Sequence, residues 1–389
     1  MVLRKSIECF SLTIGLFALF SCSRDVSSTI FHYQSEIIAI RDLEPALILD
    51  TTQYAVTYYT SLQLPSEYKY LKCDKMEYVG GFFYLLDTEY NKTVFVFDSQ
   101  GHFVSRIGQR GRSASEYLDS PTDFFVNPRN DQVMVYERNA HRVHVYDQNG
   151  NQIELHTFKM WPYAVGTLFN GYYMAAFDYK EAGKGLQLGV FDRDERIVLP
   201  IITMDSPHVF INNERAFVLH GDFLYHIPHF SDSVLIFKSD TLSRVIHLQF
   251  QSQFVPSDVI RESNGGNLDD YKLFRGITSV SGYYETNSFN SFSYSKSHVQ
   301  IKCIIDKRNG MQYHFTGSPF RGLFPGHRYT MVEDSIFWLV TEDDIADLNY
   351  ALQHEIVKKE LSHTYSIIRD IIQNKYPFPL ILKVRLDHQ

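Results

Sequence analysis

Apolar and polar positions alternate in short blocks along the chain, and from residue 82 the blocks repeat. Phe83-Tyr84-Leu85-Leu86-Asp87 predicts a strand, residues 88–92 a polar loop, and Thr93-Val94-Phe95-Val96-Phe97-Asp98 a second strand. Ser99-Gln100-Gly101 closes that strand, and a third, residues 102–107, ends at Gly108. The order then returns: Val133-Met134-Val135-Tyr136-Glu137, a loop at 138–142, Val143-His144-Val145-Tyr146-Asp147, and the turn Gln148-Asn149-Gly150. Short strands joined by Gly, Asn and Asp turns mark antiparallel hairpins.

Weaker copies follow at Leu188-Gly189-Val190-Phe191-Asp192 and Val234-Leu235-Ile236-Phe237-Lys238. The aromatic before the acidic position falls at Phe97, Tyr146, Phe191 and Phe237, steps of 49, 45 and 46 residues. A period near 45 with several strands per unit predicts propeller blades. Lys302-Cys303-Ile304-Ile305-Asp306 is a fifth copy, delayed by a polar insertion at about 252–271, and Ile336-Phe337-Trp338-Leu339-Val340 supplies a sixth. The expected fold is therefore all-β, a six-bladed β-propeller over residues 36–389. A seven-bladed ring and a tandem of sandwiches are the alternatives.

One stretch changes period. Ile345, Leu348, Leu352 and Ile356, then Leu361, Tyr365, Ile368 and Ile372, are spaced three to five apart. That predicts a helical insertion at about 343–376 in the last blade, opened by Asp343 and Asp344 and stopped by Pro377. Residues 380–386 return to strand. Residues 36–50 are expected to add a strand to the same blade, so that both chain ends close the ring and remove exposed edges.

Composition sharpens this picture. The 389 residues are 44% hydrophobic and include 30 Phe and 26 Tyr, a bias toward pleated, half-buried surfaces. The formal charge of −8 argues against a nucleic-acid partner, which needs a basic footprint. At the N-terminus, Arg4 and Lys5 precede an apolar run, residues 10–20, too short to span a bilayer. It ends in Leu19-Phe20-Ser21-Cys22, which resembles the lipobox of bacterial lipoproteins. Residues 1–21 then read as a signal peptide, Cys22 as the acylated residue, and 22–35 as a tether. The expected location is the bacterial cell envelope, with a lipid anchor in the membrane. Cys73 and Cys303 read as buried free thiols.

Gly108-Gln109-Arg110-Gly111-Arg112, Glu116-Tyr117, Pro121, Asp123, Val133, Val135, Asn139, Arg142-Val143 and Tyr146-Asp147 resemble an NHL-type propeller repeat. The pattern is closer to the six-bladed β-propeller lipoproteins of Gram-negative bacteria. Tyr284-Glu285-Thr286, Phe292-Ser293-Tyr294, Asp306-Lys307 with Gly310, and residues 378–383 look like its later landmarks. Ser113-Ala114-Ser115 departs from the family's Gly-Pro-Gly-like turn. The resemblance implies an envelope propeller and supplies no reaction.

Candidate chemistry sits on the loops. Residues 88–92, 109–122 and 138–142 gather Lys92, Arg110, Arg112, Arg138, His141 and Arg142 on one expected rim. Guanidinium forks match carboxylate, sulfate or phosphate, so a weakly basic anion pocket near the first two blades is expected. The competing reading has Arg142 bonded within its blade, with Glu89, Glu116, Asp119 and Glu137 neutralising the rest. His220, His226 and His229 invite a metal site, but Pro228 separates two of them, and loop histidines are expected instead. No GxSxG elbow, P-loop or HExxH occurs, and adjacent carboxylates such as Asp269-Asp270 point opposite ways on a strand. No catalytic residue, metal or cofactor is assigned. Two function classes follow: a non-catalytic binding propeller for a glycan, peptide or protein partner, or a metal-dependent propeller hydrolase or lyase with its site at the central channel.

Overall fold

The computed structural model describes residues 33–41, 54–68, 70–113, 115–168, 171–177, 185–203, 216–228, 230–256, 259, 274–297, 299–316, 329–333, 335–353, 362–373 and 378–386. Residues 1–32, with the expected leader and Cys22, lie outside the described residues.

Two strands precede the repeats: β1 (Gln34–Ile40) and β2 (Tyr54–Ser61). Blade one is β3 (Lys75–Val79), β4 (Phe82–Asp87), β5 (Thr93–Asp98) and β6 (Phe103–Ile107). Blade two is β7 (Asp123–Val126), β8 (Val133–Glu137), β9 (Arg142–Tyr146) and β10 (Gln152–Thr157). Blade three is β11 (Ala164–Thr167), β12 (Tyr173–Ala176), β13 (Leu186–Phe191) and β14 (Ile197–Thr203). Blade four is β15 (Phe217–His220), β16 (Phe223–His226), β17 (Ser233–Lys238) and β18 (Thr241–Phe250). Blade five is β19 (Ile277–Glu285), β20 (Phe289–Lys296), β21 (Val299–Asp306) and β22 (Gln312–Thr316). Blade six takes β23 (Tyr329–Val332), β24 (Ser335–Val340) and β25 (Leu380–Leu386). The six sheets form a ring, and the chain is a six-bladed β-propeller.

Each blade is an antiparallel meander whose first strand faces the ring axis. The innermost strands touch in sequence, β23 to β3, β7, β11, β15 and β19. Between blades five and six, Phe289, Ile304 and Tyr313 pack with Tyr329, Met331 and Trp338. Central strands are buried on both faces and so read as unbroken apolar runs, such as β5 and β24. Outer strands alternate, as in Gln152–Thr157.

A repeated latch joins blade to blade. Thr60 donates to the Gln100 carbonyl at 2.8 Å, and Ser105 donates to the Gln148 carbonyl at 2.6 Å. Both carbonyls lie in the turn after a blade's third strand, against the outer strand of the preceding blade. The adjacent glycines, Gly101 (φ +84°) and Gly150 (φ +86°), sit where a Cβ would come 2.2 Å from the Ser61 carbonyl oxygen and 2.3 Å from that of Arg106. Only glycine combines that backbone region with so close an approach.

Ring closure departs from the sequence expectation in one respect. The closing strand of blade six is β2, antiparallel to β25 from Tyr54↔Leu386 to Ser61↔Leu380. The described part of the earlier segment, β1, does not join that blade. Strand β1 lies parallel to β18 in blade four, making a five-stranded sheet. The physical reason is an available edge: β18 is ten residues long, and β1 pairs with its backbone over seven of them. Glu36 meets Arg244 at 3.5 Å, and Gln312 of blade five bonds both Ala39 and Arg41.

The helical insertion falls where expected, between β24 and β25, as α1 (Ile345–Gln353) and α2 (Ser362–Ile372). Asp344 accepts from the Thr341 amide at 2.7 Å, fixing the turn that leads into α1. Leu348, Ile367, Ile368 and Ile371 are buried against Val56, Trp338 and Leu380.

Candidate functional site

Strand direction sorts the loops onto two faces. The connections between blades and the loops joining second to third strands share one face. The loops joining first to second strands, such as Gly80-Gly81 and Gly221-Asp222, share the other. All six basic residues singled out from sequence lie on the first face, on or between blades one and two.

The loop after β6 is folded on itself. Gly111 donates to the Tyr117 carbonyl at 2.9 Å, and Tyr117 donates to that of Gln109 at 2.8 Å. The Tyr117 hydroxyl is buried and donates to the Ile107 carbonyl at 2.8 Å. Glu116 accepts from Gln109 Nε2 at 2.6 Å and from the Ser113 amide at 2.8 Å. These bonds hold its carboxyl below the usual range, the Ser113 amide first among them. The loop therefore engages its own carboxylate and leaves Arg110 and Arg112 exposed at its edge. Neither makes a salt bridge among the described residues.

The other nearby acids are engaged as well. Glu89 pairs with Lys72. Glu137 is fully buried, accepts from the Asp119 amide and faces His144 Nε2 at 3.2 Å. Asp119 is held by Asn139 and the Ser120 amide, which lower its pKa, with Lys92 and Arg110 adding a favourable field. Lys92 takes a left-handed backbone (φ 52°) at the end of its loop, as His141 does (φ 54°).

A second cluster lies toward blade three. The His141 ring stacks on Trp161 with centroids 5.7 Å apart and planes 9° from parallel. The Arg138 guanidinium stands 5.9 Å from the Tyr163 ring centre. Arg142 pairs through its backbone with Glu137. Its buried Nε has no hydrogen-bond partner among the described residues. Asn139 bridges the clusters by donating to Asp119. Four of the six residues thus form two groups, Lys92 and Arg110 around Asp119, and Arg138 and His141 beside the aromatic pair, while Arg142 lies in strand β9. Arg112 lies at the loop edge of the first group.

The sequence reading missed the aromatic half of this rim. Trp161, Tyr70 and Tyr90 are all exposed, and each lies on a connection rather than in a strand. Their signal in the sequence is a large ring in a turn, where no core claims it.

The ring axis contains a cavity of about 240 Å³, lined by residues of β3, β7, β15, β19 and β23 and the loops that follow some of them. Lys75 enters it already satisfied, donating to Asp123 at 2.8 Å and meeting Glu77 at 2.9 Å. Tyr284 packs on His220 with centroids 4.7 Å apart. On the opposite face, Arg129 reaches Asp222 at 2.8 Å, joining blades two and four. Most of the remaining lining is backbone and apolar side chain. Among the described residues, no group of three or more His, Cys, Asp or Glu is placed to hold a metal ion.

The histidines correct one expectation. His226 is a buried strand residue, bonded to the Ala216 carbonyl at 2.8 Å, and not a loop residue. The reason is that the strand β16 runs up to His226, directly before Ile227-Pro228. Burial holds its pKa down at about 4. His220 ends β15 and is likewise lowered by burial. His229 lies outside the described residues.

Comparison with known proteins gives the fold and a family. A structure from Bacteroides fragilis, of a protein named as exported, aligns with 90% of this chain and all of its own at 17% identity, with a TM-score of 0.72. A member of the DUF4221 family from Bacteroides vulgatus aligns with 87% of this chain and all of its own, at 11% identity and a TM-score of 0.48. The virginiamycin B lyase of Staphylococcus aureus aligns with 74% of this chain and 82% of its own, at 9% identity and a TM-score of 0.40. No curated protein matches the chain. The family model described as a domain of unknown function, DUF4934, matches residues 70–367. With most of the propeller covered by that match, the chain belongs to the DUF4934 family.

Proposed function

We propose that this protein is a non-catalytic binding propeller, tethered to the bacterial envelope through a lipid on Cys22, that takes an anionic group of its partner on the blade-one to blade-two rim. One observation carries the reading. Glu89, Glu116 and Glu137 are engaged by Lys72, Gln109 and His144, while Arg110 and Arg112 have no salt bridge among the described residues. Guanidinium groups that make no salt bridge among the described residues can accept a carboxylate, sulfate or phosphate without first breaking one, although Arg110 also feels the field of Asp119. The channel agrees with this reading, because Lys75 is neutralised by Asp123 and Glu77 and most of the remaining lining is backbone and apolar side chain. The Bacteroides fragilis neighbour is named as exported, which agrees with the leader read in the sequence.

The test is a binding measurement on the full chain in detergent, using glycans, peptides and proteins that carry anionic groups. The paired substitution Arg110→Ala and Arg112→Ala is expected to weaken anionic ligands and leave neutral ones unchanged. Unaltered binding of every anionic ligand tested would remove the rim from consideration. Incorporation of labelled fatty acid, lost in Cys22→Ser, tests the anchor.

A further inference from the structure

The basic rim does not stand alone on its face. Tyr70 is 68% exposed, Tyr90 60% and Trp161 64%, an unusual concentration of large rings in water on one side of blades one to three. Burying such rings is favourable, so contiguous exposed apolar surface beside polar groups marks a binding surface.

The backbone that carries the two tyrosines is held, and each ring has an aromatic neighbour. Tyr70 and Tyr90 lie 6.0 Å apart. Buried Asp87 accepts from the Tyr90 amide at 2.8 Å and from Asn91 Nδ2 at 2.7 Å, and Asn91 Nδ2 also donates to the Tyr70 carbonyl at 2.7 Å. Trp161 is backed by the His141 ring, which lies nearly parallel to it. Rings fixed before binding lose little conformational entropy when a ligand covers them.

Resting on the reading of the rim as an anion site, we propose that its ligand is an acidic polysaccharide, a chain of sugar rings bearing carboxylate or sulfate groups. The flat apolar face of a pyranose covers an indole or phenol ring, while its acidic substituent reaches Arg110, Arg112 or Arg138. An extended chain lets one ligand reach both Tyr70 and Tyr90 on blade one and Trp161 on the connection after blade two. An acidic peptide supplies the charge without flat rings to cover these platforms. A nucleic acid supplies rings and charge, but its dense phosphates suit a continuous basic track. Here the cations alternate with Glu89, Glu116 and Asp119 on a chain of net charge −8.

The experiment is affinity electrophoresis and calorimetry of the full chain in detergent. The probes are polygalacturonate, chondroitin sulfate and heparin, with methyl-esterified polygalacturonate, polyglutamate and poly(dT) as comparisons. Trp161→Ala and Tyr90→Ala remove exposed rings, and an unchanged thermal midpoint confirms that the fold survives. At least one acidic glycan is expected to bind about tenfold tighter than its uncharged form and than polyglutamate or poly(dT). Trp161→Ala is expected to weaken that glycan about tenfold, a loss of about 1.4 kcal/mol. If polyglutamate or poly(dT) binds as tightly as every glycan and Trp161→Ala changes nothing, the anion site stands and the saccharide assignment falls. If no polyanion binds, both fall.

Discussion

Lys75, on the innermost strand of blade one, donates to Asp123, on the innermost strand of blade two, at 2.8 Å, and also to the Phe124 carbonyl. Its ammonium is nearly enclosed, with the rings of Phe124 and Phe125 within 5 Å. Burial alone depresses such a lysine, but Asp123 and Glu77 more than offset it, and the pKa is raised. The contact bolts one blade to the next beside the axis.

Removing one partner strands the other in a site of low polarity. Lys75→Met is therefore expected to destabilise the propeller by about 3 kcal/mol, read from urea unfolding. The double variant with Asp123→Leu is expected to recover part of that loss, which a double-mutant cycle measures. Because the Lys75 pKa is raised, its contribution is intact below the unfolded value, about 10.4, and is lost as pH climbs through the folded one.

The turn glycines make a second prediction. At Gly101 and Gly150 a β-carbon meets the backbone of the preceding blade, and backbone cannot swing aside as a side chain can. Gly101→Ala and Gly150→Ala are each expected to cost at least about 2 kcal/mol, combining a positive φ with a clash. Alanine at Gly81, whose Cβ would meet nothing within 4 Å, carries only the backbone strain. Thermal unfolding of the three variants side by side tests the ranking.

His226 gives a pH dependence whose sign is fixed. Its folded pKa is held at about 4 by burial, against the opposing bond to Ala216. The unfolded value is about 6.5. Between these pH values the unfolded chain binds a proton that the folded chain refuses, so stability falls as pH falls through the window. The full effect is about 3 kcal/mol. Unfolding free energy measured at pH 7 and pH 4.5 is expected to differ less in His226→Asn than in the parent chain.

Cys73 and Cys303 are both buried. Burial raises the Cys303 thiol far above its ordinary value, and only the thiolate reacts readily. Alkylation by iodoacetamide at pH 8 is expected to spare both in the folded protein and to modify both in urea. Rapid labelling of either without denaturant would contradict their placement.

Much of the fold is legible in the residues because a blade is a local object. The strands around Phe97, Tyr146, Phe191 and Phe237 pair with neighbours a few residues away, so the repeat of strand and turn can be read directly. The helical insertion is readable for the same reason, since a period of 3.6 is a property of the segment itself. The basic residues on residues 88–92, 109–112 and 138–142 could be assigned to one face because loop order follows strand order.

What the sequence does not contain is which edge a distant strand chooses. β1 and β2 both have the pattern of a strand, and β1 pairs with residues about 210 positions away in blade four while β2 closes blade six. That choice depends on which outer edge is unpaired once the ring has formed. The aromatic half of the rim is hidden likewise, because only the folded ring brings Trp161 against His141 of the neighbouring loop. Local chemistry set the blades and their charged loops. The tertiary structure decided the edge that β1 takes and the folding of each loop on its own blade, which turns Glu116 onto Gln109 and Ser113 and leaves Arg110 and Arg112 at the loop's edge.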